Sequence, residues 1–161
     1  MTVASDHRYL IAIGSNMRVP GIGNPRAVIA ASLDDLAARG LNVCAVSTVV
    51  DSAPVGPSRR RYANAAAVVG TALSPPEVLA LLQMAETRFG RTRRGSRWRS
   101  RPLDLDIVLW SGGVWVSGSL AIPHRLFRER DFVLHPAAEI APHWRDPVSG
   151  FTLRQLNARV S

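Results

Sequence analysis

Residues 103–107, LDLDI, alternate apolar and acidic side chains, which is the pattern of a β-strand with one buried and one polar face. Alternate side chains of a strand share a face, so the three apolar residues point into the core and Asp104 and Asp106 point together to the other side. Acidic residues are disfavoured in strands, and neighbouring carboxylates repel each other unless a cation lies between them. The pair therefore predicts a metal site, and Mg²⁺ suits such hard oxygen ligands. The alternative interpretation is a solvated strand face whose aspartates pair with nearby arginines.

The positive charge of the chain is concentrated in two short segments. The chain has 20 arginines and no lysine, and its net charge is +8. Three arginines occupy residues 59–61, and seven more lie in residues 88–101 with no acid among them. Guanidinium groups bind phosphate and carboxylate bidentately, so the segments predict a polyanionic partner. The absence of lysine excludes a Walker-A lysine and a Schiff-base lysine. The alternative interpretation is that the use of arginine alone reflects genome composition, and that any single arginine is merely a solvated surface residue.

The length and composition indicate one domain. The chain has 161 residues, of which 47% are hydrophobic, and this suffices for a buried core. No apolar stretch is long enough for a transmembrane helix, and the first apolar run, residues 9–13, is too short for a signal-peptide core. Cys44 is the single cysteine, which excludes an internal disulfide and a multi-cysteine zinc site. We expect a single domain over residues 1–161, located in the cytoplasm and without a membrane partner.

Strand and helix patterns alternate in the order β-α-β-β-α-β-β. Helices are predicted to begin at Pro25 and Pro75, each after a capping residue. Gly112 and Gly113 predict a turn before a short return strand. The predicted strands are residues 9–13, 42–50, 62–72, 103–110 and 114–117. This order predicts an α+β fold, a ferredoxin-like sandwich with helices packed on a mostly antiparallel sheet.

Two further groups of residues could bind a ligand. Tyr62 and Asn64 share one face of a predicted strand, where tyrosine can stack on a flat ring and asparagine can read a donor–acceptor edge. A half-buried surface tyrosine is the simpler interpretation of that pair. His124 follows Pro123 in an arginine-rich segment and is better placed than the other three histidines. A lone histidine is nevertheless more often structural.

Paired carboxylates beside a cationic loop suit phosphoryl transfer, which needs charge neutralisation and positioning more than covalent chemistry. A metal-dependent nuclease or an RNA-binding module would use similar residues. Proteins that bind single strands present aromatic stacking platforms, and this chain has only four Trp, two Tyr and four Phe, few of them in the predicted strands. A non-catalytic nucleic-acid- or nucleotide-binding module stays as the second hypothesis.

Several of these segments together resemble the 6-hydroxymethyl-7,8-dihydropterin pyrophosphokinases of folate biosynthesis. The chain departs from the family pattern at Arg99, Ser119 and Arg125. The matching motifs, in order, are AIGSN at residues 12–16, APVGP at 53–57, YANAA at 62–66, RW through RPLDLDI at 97–107, and IPH through RDFVL at 122–134.

The resemblance implies a ferredoxin-like fold and transfer of the β,γ-pyrophosphoryl group of ATP to the hydroxymethyl oxygen of the dihydropterin, with release of AMP. The implied ligands are ATP as co-substrate, a pterin alcohol and two Mg²⁺ ions, with no nucleic acid. The protein would act as a monomer.

The resemblance also implies a role for individual residues. Asp104 and Asp106 would be catalytic and hold both Mg²⁺ ions against the triphosphate. Arg91 and Arg101, also catalytic, would help to close the basic loop, residues 89–102, and stabilise phosphate charge. The residues expected to contact ATP are Arg93, His124 and Arg130. The residues expected to bind the pterin are Ser52, Val55, Tyr62, Asn64, Trp98 and Phe132, with Tyr62 and Phe132 sandwiching the ring and Trp98 sealing the site.

Overall fold

A computed structural model describes residues 6–52, 62–90 and 102–160 of the chain. One five-stranded sheet is formed by β1 (His7–Ser15), β2 (Asn42–Val46), β3 (Val50–Ser52), β4 (Tyr62–Thr71) and β5 (Asp104–Trp110). The central strand β1 pairs with β4 on one side and with β5 on the other, and both β2 and β3 pair with the outer side of β4. All of these pairings are antiparallel, so the predicted ferredoxin-like α+β fold is confirmed.

Two helices, α1 (Pro25–Ala38) and α2 (Pro75–Arg88), pack on one face of this sheet. The Asn24 side chain caps α1, and the Glu77 carboxylate accepts the backbone N–H of Ser74 at 3.0 Å at the start of α2. Both helix starts agree with the sequence prediction because each depends on residues within one turn of the cap. Their apolar faces cover the side of the sheet that carries Leu105.

The other face of the sheet is covered by α3 (Asp131–Ile140), α4 (Leu153–Val160) and a short 3-10 helix, Phe127–Glu129. The sheet is therefore the middle of three layers, and α3 lies across β3 and β4. None of the helices in the described part of the chain is long and apolar enough to cross a membrane. The buried residues of this second core are Leu10, Ala66, Val68, Val108, Leu109, Phe127, Val133, Leu134, Ala137, Leu153 and Leu156.

The predicted strand 42–50 is interrupted at Ser47 and becomes β2 and β3. The Ser47 hydroxyl accepts the backbone N–H of Ala66 at 2.8 Å, while the Ser47 N–H donates to the Ala66 carbonyl at 2.9 Å. The hydroxyl thus replaces a backbone carbonyl in the ladder with β4. A side chain that competes with the backbone in this way breaks the regular pairing.

The short strand after the Gly112–Gly113 turn does not pair back onto β5 as the sequence predicted. It forms β6 (Trp115–Ser117), which pairs with β7 (Leu120–Ile122) in a separate two-stranded sheet. The Trp110 ring folds over the turn, within 2.3 Å of where a Cβ on Gly112 would lie. Trp110 of β5 and Trp115 of β6 pack edge to face with ring centroids 5.7 Å apart, so the two strands are in contact through these side chains.

Candidate functional site

Asn64, Gly14 and Asp104 occupy one row across three neighbouring strands, because Gly14 is opposite Asn64 on β4 and opposite Asp104 on β5. Residues directly opposite each other in an antiparallel sheet project to the same face. The amide and the carboxylate therefore project together on either side of the glycine. A Cβ on Gly14 would lie 3.3 Å from the Asn64 Oδ1, so the glycine keeps the space between the two polar groups open.

The next row of residues on the same face of the sheet has small side chains at its centre. Asp106 is opposite Ala12, and Ala12 is opposite Ala66. Asp104 and Asp106 share this face and are half-buried, while the intervening Leu105 points into the other core, as the alternation predicts. Two carboxylates thus border a shallow surface that larger residues would fill.

Tyr62 lies two residues before Asn64 on β4 and shares its face. The Tyr62 Cδ1 lies 3.8 Å from the Cβ position of Gly14, and the Tyr62 ring is half-buried. Ser52 on β3 is the register partner of Tyr62. The face that borders Gly14 therefore carries an aromatic ring and an amide on one side and two carboxylates on the other.

His124 lies just after β7, where its backbone N–H donates to the Val108 carbonyl at 3.1 Å and ties the segment to β5. The imidazole Nδ1 accepts the backbone N–H of Leu126 at 3.2 Å, which places the proton of the neutral ring on Nε2. Burial lowers the pKa of His124, and the positive charge of Arg130 lowers it further, while Asp104 acts in the opposite direction. His124 is therefore a neutral donor near pH 7, placed close to both charged residues.

Arg130 and Phe132 lie at the start of α3. Arg130 immediately precedes the helix, and its Cζ lies 5.6 Å from the centroid of the Phe132 ring, within the range of a cation–π contact. Phe132 is half-buried and packs against the core beneath α3. An aromatic ring and a guanidinium thus stand together at one border of the site face.

Glu86 is a buried carboxylate on α2 that the sequence analysis did not select. Its Oε2 accepts the backbone N–H of Leu105 at 2.8 Å, between the two aspartates of β5. The position continues the buried stripe of Val78 and Leu82 at intervals of four residues. An acid in that apolar stripe was the signal in the sequence that could have found it.

Five of the residues predicted for the site lie outside the described residues. They are Val55, Arg91, Arg93, Trp98 and Arg101. The remaining predicted residues are carried by β3, β4, β5, the segment after β7 and the start of α3.

Asp104 and Asp106 are the candidate ligands for a metal ion. Among the described residues, no three His, Cys, Asp or Glu side chains form a group that could hold an ion by themselves. Mg²⁺ is commonly held by one or two carboxylates and completes its shell with water and substrate phosphates. The two carboxylates on one open face fit that ion.

Comparison with known proteins identifies the family. The family model described as 7,8-dihydro-6-hydroxymethylpterin-pyrophosphokinase (HPPK) matches residues 10–142. The chain belongs to the HPPK family. Members of this family transfer pyrophosphate from ATP to 6-hydroxymethyl-7,8-dihydropterin in folate biosynthesis, so the resemblance seen in the sequence is confirmed.

Several curated relatives carry the name 2-amino-4-hydroxy-6-hydroxymethyldihydropteridine pyrophosphokinase. The Synechocystis sp. protein is 37% identical over 96% of this chain and 76% of its own length. The Methylorubrum extorquens protein is 35% identical over 95% of this chain and 93% of its own length. The Pseudomonas aeruginosa protein is 37% identical over 87% of this chain and 84% of its own length.

Solved structures agree with the fold. A crystal structure of Plasmodium falciparum HPPK-DHPS with pteroate superposes with a TM-score of 0.74 over 98% of this chain, at 12% sequence identity. The chain spans 45% of that longer protein. A second structure, of the wild-type protein alone, gives a TM-score of 0.71. The HPPK fold is therefore shared even where the sequences have diverged widely.

Proposed function

We propose that the face around Gly14 is where this chain transfers the β,γ-pyrophosphoryl group of ATP to the hydroxymethyl oxygen of the dihydropterin, giving the dihydropterin pyrophosphate and AMP. The observation that carries this proposal is the row of Asn64, Gly14 and Asp104. In this row the Asn64 amide, which can hydrogen-bond to a flat heterocycle, lies beside the Asp104 carboxylate, which can bind a metal–phosphate complex. The open glycine position between them leaves room for the reacting atoms.

The pterin occupies the side of this face formed by Tyr62 and Asn64. A side-chain amide both donates and accepts, which matches the amide edge of a pterin ring. Tyr62 and Phe132 contribute ring faces, which attract a flat heterocycle in offset stacks. Ser52, the register partner of Tyr62, adds backbone contacts. Two residues outside the described part of the chain, Val55 and Trp98, complete the pterin contacts.

The triphosphate occupies the side formed by Asp104 and Asp106, which hold two Mg²⁺ ions. When bound, the ions neutralise phosphate oxygens and the charge that develops on the leaving group. His124 donates its Nε2–H to a phosphate oxygen, and Arg130 adds a fixed positive charge beside it. The arginines proposed to contribute from outside the described residues are Arg91, Arg93 and Arg101.

The contribution of the chain to the reaction is positioning and charge. The hydroxymethyl oxygen loses its proton to solvent and forms a bond to the β-phosphorus as the bond from that phosphorus to the α,β-bridging oxygen breaks. The electron pair of the broken bond leaves with AMP. Stacking on Tyr62 and hydrogen bonding to Asn64 fix the pterin so that its oxygen lies in line with that bond. Holding both reactants in such an alignment can supply several kcal/mol, roughly 7–11 in favourable cases, of barrier lowering.

The test is the release of AMP from ATP, measured by chromatography with and without the pterin alcohol and with and without Mg²⁺. We expect AMP only when all components are present. Asp104→Asn and Asp106→Asn should each lower turnover by about a hundredfold or more, since each removes a charge that acts on the transition state. Asp51→Asn is the matched control, because Asp51 is an exposed aspartate of β3 opposite Ala63, on the other face of the sheet.

A nucleic-acid-binding module is the competing function, favoured by the basic segments 59–61 and 88–101. Salt-sensitive binding to RNA of arbitrary sequence without AMP formation would support it instead. We further propose that residues 1–161 act as one pyrophosphokinase domain, as a cytoplasmic monomer with no nucleic-acid partner. Light scattering of the purified protein tests the monomer.

A further inference from the structure

The segment from His124 to Arg130 joins the two residues proposed to contact ATP. One end is fixed to β5 through the hydrogen bond from the His124 N–H to Val108. The other end enters α3, where the Arg130 carbonyl accepts the N–H groups of Val133 at 3.1 Å and Leu134 at 2.9 Å. The short 3-10 helix lies between these ends, and its orientation therefore sets how both side chains face the site.

Arg128 anchors that 3-10 helix from its outer side. Its Nε donates to Asp146 Oδ2 at 2.5 Å and its Nη2 donates to Asp146 Oδ1 at 2.8 Å. The Arg128 Cζ also lies 4.7 Å from the ring centroid of Phe127, which is completely buried. The bidentate geometry fixes direction as well as distance, which a single ion contact does not.

Asp146 is itself held in place by the turn between α3 and α4. Its side chain is fully buried, and it accepts the Val148 N–H at 3.0 Å and the Ser149 hydroxyl at 2.6 Å. The backbone closes the same turn, since the Asp146 N–H donates to the Phe151 carbonyl at 2.8 Å. The carboxylate is thus a fixed point between the C-terminal turn and the segment that carries His124.

The charge state of this carboxylate is set by the same contacts. Burial raises the pKa of Asp146, but the hydrogen bonds from Arg128, Ser149 and the Val148 backbone outweigh it and lower the pKa to about 2. Asp146 is therefore ionised throughout the range in which the enzyme would be assayed.

We propose that Asp146 is a positioning residue for ATP: through Arg128 it holds the 3-10 helix in the orientation that points His124 and Arg130 at the triphosphate. The inference rests on the proposed function for the placement of ATP, but it concerns residues that do not touch the ligand. The far end of α3 is tied separately, by the Thr48 N–H and hydroxyl donating to Glu139. Loss of Asp146 should therefore disturb the ATP end of the site, where the segment carries both His124 and Arg130, more than the pterin end, where β4 carries Tyr62 and Asn64.

The decisive variant is Asp146→Asn, which keeps the size of the side chain and removes its charge. We expect KM for ATP to rise by about tenfold or more, as is found when groups that orient a site are loosened. KM for the pterin should rise less than KM for ATP, because Phe132 adjoins the loosened segment while Tyr62 and Asn64 lie on β4. The His124 imidazole resonances should shift. Arg128→Gln keeps a side-chain N–H donor, so KM for ATP should again rise more than KM for the pterin, but by a smaller factor. This variant replaces Asp146→Asn in the test if Asp146→Asn does not fold.

Asp35→Asn is the matched control. Asp35 is also a buried carboxylate held by two arginines, Arg39 and Arg88, but it lies on α1 at the opposite face of the sheet. It should lower the free energy of unfolding without moving the His124 resonances, because Arg39 and Arg88 lie on the helices of the other face.

The outcomes separate the two proposals. If the wild-type protein forms no AMP, the proposed function is wrong. The effect of Asp146 on the orientation of His124 is then still tested by the His124 resonances and by the affinity for a non-hydrolysable ATP analogue. Unchanged resonances and unchanged nucleotide affinity in folded Asp146→Asn would overturn the positioning role. Equal increases of KM for ATP and for the pterin, matched by Asp35→Asn, would also overturn it, because they indicate a general loss of stability.

Discussion

The Glu86 carboxylate accepts the backbone N–H of Leu105 at 2.8 Å, at the one position of β5 that lies between Asp104 and Asp106. Among the described strands β5 pairs with β1 alone and lies at the edge of the sheet, so this N–H points away from β1. Edge strands leave every second N–H without a strand partner, and a buried donor of this kind requires another acceptor. Glu86 supplies it and thereby fixes the backbone that carries the two candidate metal ligands.

We expect Glu86→Ala to lower the free energy of unfolding by about 1–3 kcal/mol, because the Leu105 N–H loses its acceptor while it stays buried. Turnover should fall as well, since Asp104 and Asp106 are then less well fixed. Glu86→Gln retains an acceptor oxygen and should lose less in both respects. Urea unfolding and AMP release measure the two effects. Equal losses in the alanine and glutamine variants would contradict the role of the hydrogen bond.

Gly14→Ala tests whether the space above Gly14 is needed for binding of the pterin. The added Cβ would lie 3.3 Å from the Asn64 Oδ1 and 3.8 Å from the Tyr62 Cδ1, within the space assigned to the pterin. We expect KM for the pterin to rise by about tenfold, since a misplacement of about 1 Å can cost a site about a hundredfold in rate. The fold should persist, because replacing glycine by alanine restricts the unfolded chain and by itself adds about 0.4–1 kcal/mol of stability.

The internal control for Gly14→Ala is ATP, whose KM should change less than twofold because the phosphates lie on the side of Asp104. If the variant binds both substrates like the wild type, the pterin does not lie over Gly14.

Features encoded by neighbouring residues were predictable from the sequence. The alternation of residues 103–107 predicted the shared face of Asp104 and Asp106, and the caps at Asn24 and Ser74 predicted the helix starts. These patterns arise from one strand or one helical turn, so no knowledge of distant packing is needed.

Features that depend on contacts between distant segments were not predictable in the same way. The strand β6 pairs with β7 while Trp115 packs on Trp110, and a glycine turn alone does not determine which partner the strand takes. Arg128 and Asp146 are 18 residues apart and belong to segments whose patterns do not indicate contact. The spread of helices over both faces of the sheet likewise depends on the C-terminal third, where short elements give weak patterns.

His124 should titrate below the pKa of an ordinary histidine in the protein without nucleotide or Mg²⁺. Arg130→Gln removes a positive charge beside the imidazole, so the pKa of His124 should rise. Asp104→Asn removes a negative charge, so the pKa should fall. Titration of the imidazole resonances by NMR measures both, with His124→Asn identifying the signal among the four histidines.

The same pKa makes stability depend on pH. The unfolded chain binds a proton at His124 more readily than the native protein, so the free energy of unfolding should decrease as pH falls below about 6.5. His124→Asn should remove that part of the decrease. A pKa that does not respond to Arg130→Gln would show that the two side chains lie too far apart to act on one phosphate group.

Tyr62→Ala should weaken binding of the pterin by roughly three- to tenfold, which corresponds to the loss of a stacked ring contact. Affinity for ATP should be unaffected. Tyr62→Phe retains the ring and should bind the pterin like the wild type. Calorimetry with each ligand in turn makes the comparison, and equal losses for both ligands in Tyr62→Ala would reject the assignment of Tyr62 to the pterin.

Asp146 should make the protein sensitive to acid at low pH. Its pKa is about 2 in the native protein against 3.8 as the ordinary value, a difference that corresponds to about 2 kcal/mol of unfolding free energy. Because the native pKa is the lower one, this stabilisation is present above pH 3.8 and is lost as the pH falls towards 2. Asp146→Asn never carries the charge, so the difference in unfolding free energy between wild type and variant should be largest near pH 6 and shrink below pH 4. Urea unfolding at pH 6, 4 and 2.5 measures it, and Ser149→Ala, which removes one hydrogen bond to the carboxylate, should raise the pH at which the stabilisation is lost. If the difference in unfolding free energy stays constant across this range, Arg128 and Ser149 do not lower the pKa of Asp146.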